Sequence, residues 1–283
     1  MRILILGSTG ILGGTLNYFL KKKKNIKIFC MSRNKKNKSD IYLDDFTNFT
    51  KLKKLILNIN PTHIINCIGI TKFNNSYKSK KLTSVINAKL PITLSRFCLI
   101  KKIFFIHIST DCVFLGNKGY YTEKSKKDAQ DLYGTSKAMS EVKNKYCTTI
   151  RTSFIGPEQQ SNKALMNWFL SQKTEANGFK NAFFSGITSL ELSKIIFKYF
   201  LKDKGLYNRI LNVGSQKTSK YDLLKILAKV FNRNILIKGF TDFKIDRTLN
   251  NQKFKKLTKY KNKSWYIMIK ELKKFMMDNK YKY

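Results

Sequence analysis

The chain has 283 residues, 42% hydrophobic and 26% charged, enough for one large α/β unit or two modest domains around a real core. That composition excludes a disordered chain and a membrane-embedded one. Lys and Arg number 56 against 17 Asp and Glu, a net charge of +39, but only seven of the 56 are Arg, the residue suited to bidentate reading of phosphates and bases. The lysines are spread along the whole chain, so they read as a solvated surface: no specific nucleic acid is expected, while small anionic substrates would be drawn in.

Residues 2–6 form a short apolar run ending in Gly7-Ser8-Thr9-Gly10-Ile11-Leu12-Gly13-Gly14, followed by a helical pattern through Leu20: strand, glycine turn, helix. Residues 26–31 read as a second strand ending in Ser32-Arg33, with a lysine-rich loop after it. An amphipathic helix is expected over 49–58, a strand over 63–68 introduced by Pro61, a helix over 85–99 and a strand over 104–109. A polar loop then runs to Asp131, followed by a helix over 133–145 and a strand over 148–153. Near-continuous apolar strands alternating with helices predict a parallel sheet covered on both faces, and right-handed crossovers make it a doubly wound, Rossmann-type α/β fold.

Beyond Gly156-Pro157 the rhythm becomes helix-rich, with helices over 163–172, 190–201 and 220–231, short strands such as 209–213, and a final amphipathic helix within 261–283. This is read as a smaller C-terminal region over the sheet's carboxyl edge. The five cysteines (30, 67, 98, 112 and 147) are odd in number with no CxxC pair, which points to reduced thiols. His63 and His107 fall in strand-like runs and are too few for a structural zinc, so no metal is expected. The apolar start holds four glycines and no cleavage site, so it does not read as a signal peptide. No membrane is expected and the cytoplasm is the expected compartment.

The GxxGxxG turn sits directly between the first strand and the first helix. Glycines let backbone approach a pyrophosphate, and the helix N-terminus offers free N–H groups. Gly7, Thr9, Gly10, Ile11, Leu12 and Gly13 are therefore the expected cofactor contacts; a packing turn without a ligand is the alternative. Where an acidic residue would bind the ribose of NAD, this chain has Ser32-Arg33, a hydroxyl and a guanidinium suited to the 2′-phosphate of NADP. NADPH is the expected cofactor, with NADH the second candidate.

Ile108-Ser109-Thr110-Asp111-Cys112-Val113-Phe114 is followed by Tyr133-Gly134-Thr135-Ser136-Lys137. A tyrosine and a lysine four residues apart share one helix face. The ammonium, with the positive nicotinamide, would lower the phenol's pKa; the tyrosine would donate a proton to a carbonyl oxygen, and the Thr110 hydroxyl would bind that oxygen.

Taken together, GSTGILGG, INCIGI, ISTDCVF, GYYTE, LYGTSKAMSE and IRTSFIG resemble the extended short-chain dehydrogenase/reductase superfamily, most closely its dTDP-4-dehydrorhamnose reductase-like branch. The segments 186–192 and 246–250 resemble its second-half motifs. The resemblance implies Thr110, Tyr133 and Lys137 as the catalytic triad, with Tyr133 and Lys137 also touching the cofactor. It implies Asp45 and Phe46 flanking the adenine, and Cys67, Ile68 and Gly69 running along the cofactor. Residues 151–154 would border nicotinamide and substrate, with Thr71, Asp111, Cys112, Val113, Thr152 and Phe154 as substrate contacts. It also implies a dinucleotide-binding domain over 1–156 and a substrate-binding region over 157–283. Two features depart from the family: Phe154 stands where tryptophan is common, and no acidic cluster matches the magnesium site of some relatives.

The reading that results is an NADPH-dependent reductase of a nucleotide-linked 4-keto-6-deoxy sugar, making a deoxysugar for a surface polysaccharide. An epimerase or dehydratase acting on a UDP-sugar is the second reading; it would hold NAD tightly and favour an acidic end to the second strand. A non-catalytic regulatory subunit is the third, and the intact Thr110, Tyr133 and Lys137 argue against it. A homodimer is left open. Cys112 reads as a small pocket-lining residue, Trp168 and Phe169 as core packing or base stacking, and residues 183–186 as a segment that could close over substrate.

Overall fold

The computed structural model describes residues 1–33, 41–72, 79–158, 164–202, 204–279 and 281. The expected lysine-rich loop after Arg33, the start of the helix expected at Lys163 and most of the charged end lie outside the described residues.

In chain order the first half forms β1 (Arg2–Leu6), α1 (Ile11–Lys21), β2 (Lys27–Ser32), β3 (Ile41–Tyr42), α2 (Phe49–Ile59), β4 (His63–Asn66) and α3 (Lys80–Ser84). A π-helical turn, Val85–Lys89, leads into α4 (Leu90–Lys101), then β5 (Phe104–Thr110), α5 (Leu132–Met139), β6 (Cys147–Thr152) and β7 (Phe154–Ile155). The second half adds α6 (Leu165–Ser171), β8 (Glu175–Phe179), β9 (Ala182–Phe184), β10 (Ile187–Thr188), α7 (Ser189–Ile195), β11 (Arg209–Asn212) and β12 (Thr218–Ser219). It ends with α8 (Lys220–Phe231), β13 (Leu236–Phe240), β14 (Ile245–Asp246), α9 (Gln252–Thr258) and α10 (Trp265–Asp278).

Seven parallel strands make the main sheet, in the order β11-β6-β5-β4-β1-β2-β3. Winding leaves β1 in one direction toward β2 and in the other toward β4, so the crevice at their carboxyl ends is the topological switch point where such sheets bind ligands. The apolar strand runs are explained by two cores. Ile3, Ile5, Ile65 and Ile106 pack with α1, α7, α8 and α10, whereas Leu4, Leu6, Ile64 and Phe105 pack with α2 and α4. Alternate residues of one strand thus serve opposite faces, as the period of two requires.

Several elements differ from expectation. The strand expected over 63–68 stops at Asn66, whose Oδ1 accepts from the Ile68 amide at 3.1 Å and turns the chain. The helix expected over 85–99 begins earlier, capped by Ser79, and is interrupted by the π turn in which Asn87 bonds both the N–H and the carbonyl of Ile70. The helix expected over 133–145 ends at Met139, because Ser140 donates back to the Lys137 carbonyl and Glu141 turns inward to Arg151. The second half also supplies the sheet's edge strand β11, and α7 docks on α1 with Ser189 Oγ 2.9 Å from Thr15 Oγ1. Among the described residues no helix is long and apolar enough to cross a membrane.

Candidate active site

The parallel register brings the carboxyl ends of β1, β2, β4, β5 and β6 to one edge of the sheet. At its centre, Gly7 takes φ +81°, a conformation that disfavours side chains, and donates to the Met31 carbonyl at 2.9 Å. A Cβ on Gly13 would stand 2.2 Å from the Gly7 carbonyl oxygen, so that glycine lets α1 start against the loop itself. Gly10 caps α1 with no side chain, which leaves the helix's first N–H groups facing the crevice. Thr9 and Ile11 are half-buried around this cradle, whereas the Leu12 side chain lies in the core and only its backbone is offered.

Ser32 is buried at the end of β2 and its carbonyl accepts from Leu43; Arg33, the next residue, is exposed. Asp45 closes a turn by accepting from the Thr47 amide at 2.7 Å and the Thr47 hydroxyl at 2.6 Å, and Phe46 is buried in the α2–α4 core. Cys67 and Ile68 are half-buried and Gly69 and Thr71 exposed along the turn that leaves β4.

Thr110 ends β5, and its hydroxyl accepts from the Cys112 amide and donates to Asp111, both at 3.1 Å. Across from it, Asp131 caps α5 by accepting from the Gly134 amide at 3.0 Å, which sets Tyr133 in the first turn and Lys137 one turn on. The fit of this helix against the turn after β5 is very close. A Cβ on Gly134 would lie 2.3 Å from the Cys112 carbonyl oxygen and 2.5 Å from the Ala129 Cβ. Gly134→Ala is therefore expected to push α5 away and lower activity by at least about tenfold while the chain still folds, checked by steady-state rates beside a thermal melt.

Tyr133 and Thr110 are brought together: burial, aided by Cys112, Asp111 and Asp131, pushes the phenol's pKa up, and the nearby Thr110 hydroxyl pulls it down by less. Without a nicotinamide beside it, removal from water outweighs the other influences on the phenol. Lys137 is buried and donates to the Ile108 carbonyl at 2.6 Å; burial pulls its ammonium down to about 8, against the pull of Glu141. Asn87 donates to Ser136 Oγ at 3.2 Å, fastening the π turn to α5.

The second half contributes cations that sequence reading did not place in the site. Lys220, at the start of α8, lies with its Nζ 4.0 Å from the Phe184 ring; burial raises the Asp111 carboxyl, and the charges of Lys220 and Arg247 offset only part of that rise. Arg247 donates to the Phe114 carbonyl at 2.9 Å and stands 3.4 Å from Cys112 Sγ. The signal for Arg247 was the 246–250 motif; nothing short-range marks Lys220. Burial and Asp111 push the Cys112 thiol up to about 11, which suits an inert pocket residue.

The structure places four further expected contacts as follows. Val113 is wholly buried with Phe114, Tyr121 and Leu249, because the helical turn after β5 rotates it inward. Thr152 is buried within the sheet and Phe154 is half-buried against the α1-side core. Arg151 forms a two-pronged pair with the buried Glu141 carboxylate, at 2.8 and 2.6 Å. Phe169 belongs to the core, with Trp168 packed against it, while Phe183 is half-buried under Lys217, whose Nζ is 4.1 Å from the ring.

Residues 1–181 match the family described as RmlD substrate binding domain. A dTDP-4-dehydrorhamnose reductase from Escherichia coli is 26% identical over 197 residues, a match that takes in 68% of this chain and 64% of that relative, so under two thirds of its length is spanned. A crystal structure of a dTDP-4-dehydrorhamnose reductase from Clostridium acetobutylicum superposes with a TM-score of 0.81 at 22% identity, over 98% of this chain and 100% of the other. One from Bacillus anthracis, in complex with NADP, gives 0.80 at 21% identity over 96% and 98%. At those identities the structures show the fold.

Proposed function

The chain belongs to the RmlD substrate binding domain family, and on that premise we propose that it is an NADPH-dependent reductase of a nucleotide-linked 4-keto-6-deoxy sugar, acting in deoxysugar synthesis in the cytoplasm. The observation that carries this reading is the meeting of Thr110, Tyr133 and Lys137 beside the glycine cradle at the switch point. The cradle fits a dinucleotide: Gly7 and Gly13 let the loop pack directly against α1, Gly10 leaves the α1 N-terminus without a side-chain cap and open to a pyrophosphate, and Arg33 follows the end of β2 for a 2′-phosphate. The relative from Bacillus anthracis is in complex with NADP, which supports the same cofactor.

NADPH, when bound there, supplies a hydride. The chain's own work is on the other side of the carbonyl. Burial keeps the Tyr133 phenol protonated through neutral pH, so its Oη–H is a donor ready for the carbonyl oxygen, and the neighbouring Thr110 hydroxyl would bind that same oxygen by turning its hydrogen from Asp111. The ketone becomes an alcohol: the carbon gains the hydride and the oxygen gains the proton of Tyr133. Lys137 places a buried positive charge one turn below, and Lys220 and Arg247 offer cations to an anionic substrate. In this division residues 1–156 hold cofactor and catalytic groups, and 157–283 close over the substrate.

The test is NADPH oxidation, followed by loss of nicotinamide absorbance, with dTDP-4-keto-6-deoxy sugar and its UDP counterpart in parallel. Turnover of either establishes the reductase and chooses the nucleotide. Binding of NADPH without turnover of either overturns the reading for these sugars and favours an epimerase or dehydratase. A second expectation concerns pH. Lys137 is an ammonium below about pH 8 and neutral above it, while the phenol titrates higher still, so kcat/KM is expected to fall as pH rises through about 8. A pH–rate profile flat across that range would remove the ammonium from the mechanism.

A further inference from the structure

Under the helix turn that bears Lys137 lies a buried imidazole that the mechanism does not use. His107 sits within β5, fully buried, opposite Asn66 of β4 in the parallel register. Its Nδ1 is 3.2 Å from Asn66 Nδ2 and its Nε2 is 3.0 Å from Ser140 Oγ, so the ring bridges β4 to the end of α5.

The directions of these bonds follow from their neighbours. Asn66 Oδ1 accepts from the Ile68 amide, which leaves Asn66 Nδ2 facing the ring as a donor. Nδ1 must then accept, and the imidazole's proton is on Nε2. Nε2–H donates to Ser140 Oγ, and the Ser140 hydroxyl donates in turn to the Lys137 carbonyl at 2.8 Å. The chain runs one way, from the turn at Cys67-Ile68 to the peptide of the lysine. The lysine's Nζ is held meanwhile by the carbonyl of Ile108, the residue next to His107.

We propose that His107, as the neutral Nε2–H tautomer, is a positioning residue that fixes the Lys137 turn of α5 against β5; the inference rests on Lys137 having the role given above. Helix α5 has eight residues, so few of its own hydrogen bonds fix its register. Its start is set by Asp131 and Gly134, and its end is set by this relay. An apolar side chain could fill this space without a hydrogen bond, whereas the imidazole ties Asn66 of β4 to Ser140 at the end of α5 through its two nitrogens. The surroundings keep the ring uncharged: burial, and then the Lys137 ammonium, hold its pKa well below the ordinary histidine value. The other ionisable groups acting on that ammonium are Glu141 and Cys67.

The chain has two histidines, so the first test is an imidazole proton–nitrogen spectrum of the labelled protein. One ring is expected as a non-titrating Nε2–H tautomer from about pH 5 to 8, with its Nε2 signal moved by Ser140→Ala. The second test is kinetic. His107→Leu and Ser140→Ala are each expected to lower kcat about tenfold with KM values within about twofold, and the double variant to lose no more than His107→Leu alone. His107→Gln, which keeps an N–H for Ser140, is expected to recover most of the rate. A titrating ring, an Nδ1–H tautomer, additive losses, or wild-type kcat in folded His107→Leu overturns the proposal. If the wild-type protein reduces no keto sugar, the reductase reading fails, and the spectrum still decides whether the relay exists.

Discussion

Replacing Tyr133 by phenylalanine is expected to lower kcat by about 10²–10⁴-fold, the range that a positioned proton donor contributes, while the Kd for NADPH stays within about twofold. Phenylalanine keeps the half-buried ring beside Cys112 and removes only the Oη–H. The Thr110 hydroxyl, whose one hydrogen goes to Asp111, can bind the carbonyl oxygen only by turning that hydrogen to it, and an alcohol is far too weak an acid to replace the phenol as proton source. The variant separates two roles that the geometry places within one turn of helix: proton donation at Tyr133, and the charge at Lys137. The measurement is kcat beside NADPH affinity by fluorescence, with a thermal melt to show the fold intact. A variant that retains more than about a tenth of wild-type kcat would mean that the proton comes from elsewhere, with Asp111, whose carboxyl burial raises, the next group to test.

Much of this arrangement was legible because its signals are local. A strand, a glycine turn and a helix occur within twenty residues, and Tyr133 and Lys137 share a face by spacing alone. What the sequence did not show depends on distant partners. The helix after Tyr133 has residues able to continue to 145, but Glu141 gains more from Arg151, ten residues on and in the neighbouring strand, than from another turn. Arg151 was placed beside nicotinamide and substrate by the family resemblance, and the register shows which partners its side chain takes. Ser109 and Arg151 are partners across β5 and β6, and both turn to Glu141. β3 is two residues long and exists only as an edge pair with Met31 and Ser32, too short for any pattern. Lys220 is one cation among 56 until α8 folds back over Asp111.

The pair that ended the helix early is expected to carry the largest stability effect. The Arg151 and Glu141 side chains are 1% and 0% exposed, and the guanidinium gives two further N–H bonds from Nη1 to the Thr122 carbonyl and Asn212 Oδ1 while lying 4.9 Å from the Phe114 ring. Removing one partner strands the other charge in the interior, so Arg151→Met is expected to cost about 3–5 kcal/mol of unfolding free energy, read from the urea midpoint at unchanged slope. Glu141 would keep Ser109 and, at 3.5 Å, the half-exposed Lys127, which places the loss toward the lower end of that range. Exchanging both partners, Arg151→Met with Glu141→Leu, is expected to recover most of it, because two matched apolar groups need no compensation. The same carboxylate holds the Lys137 ammonium up against burial. Glu141→Gln should thus move the alkaline fall in kcat/KM to below about pH 8, with the sign set by the lost negative charge. A double variant no more stable than Arg151→Met would mean that the pair is held by its hydrogen bonds to Asn212 and Thr122 rather than by mutual charge, and an unmoved pH limb would separate Glu141 from the lysine altogether.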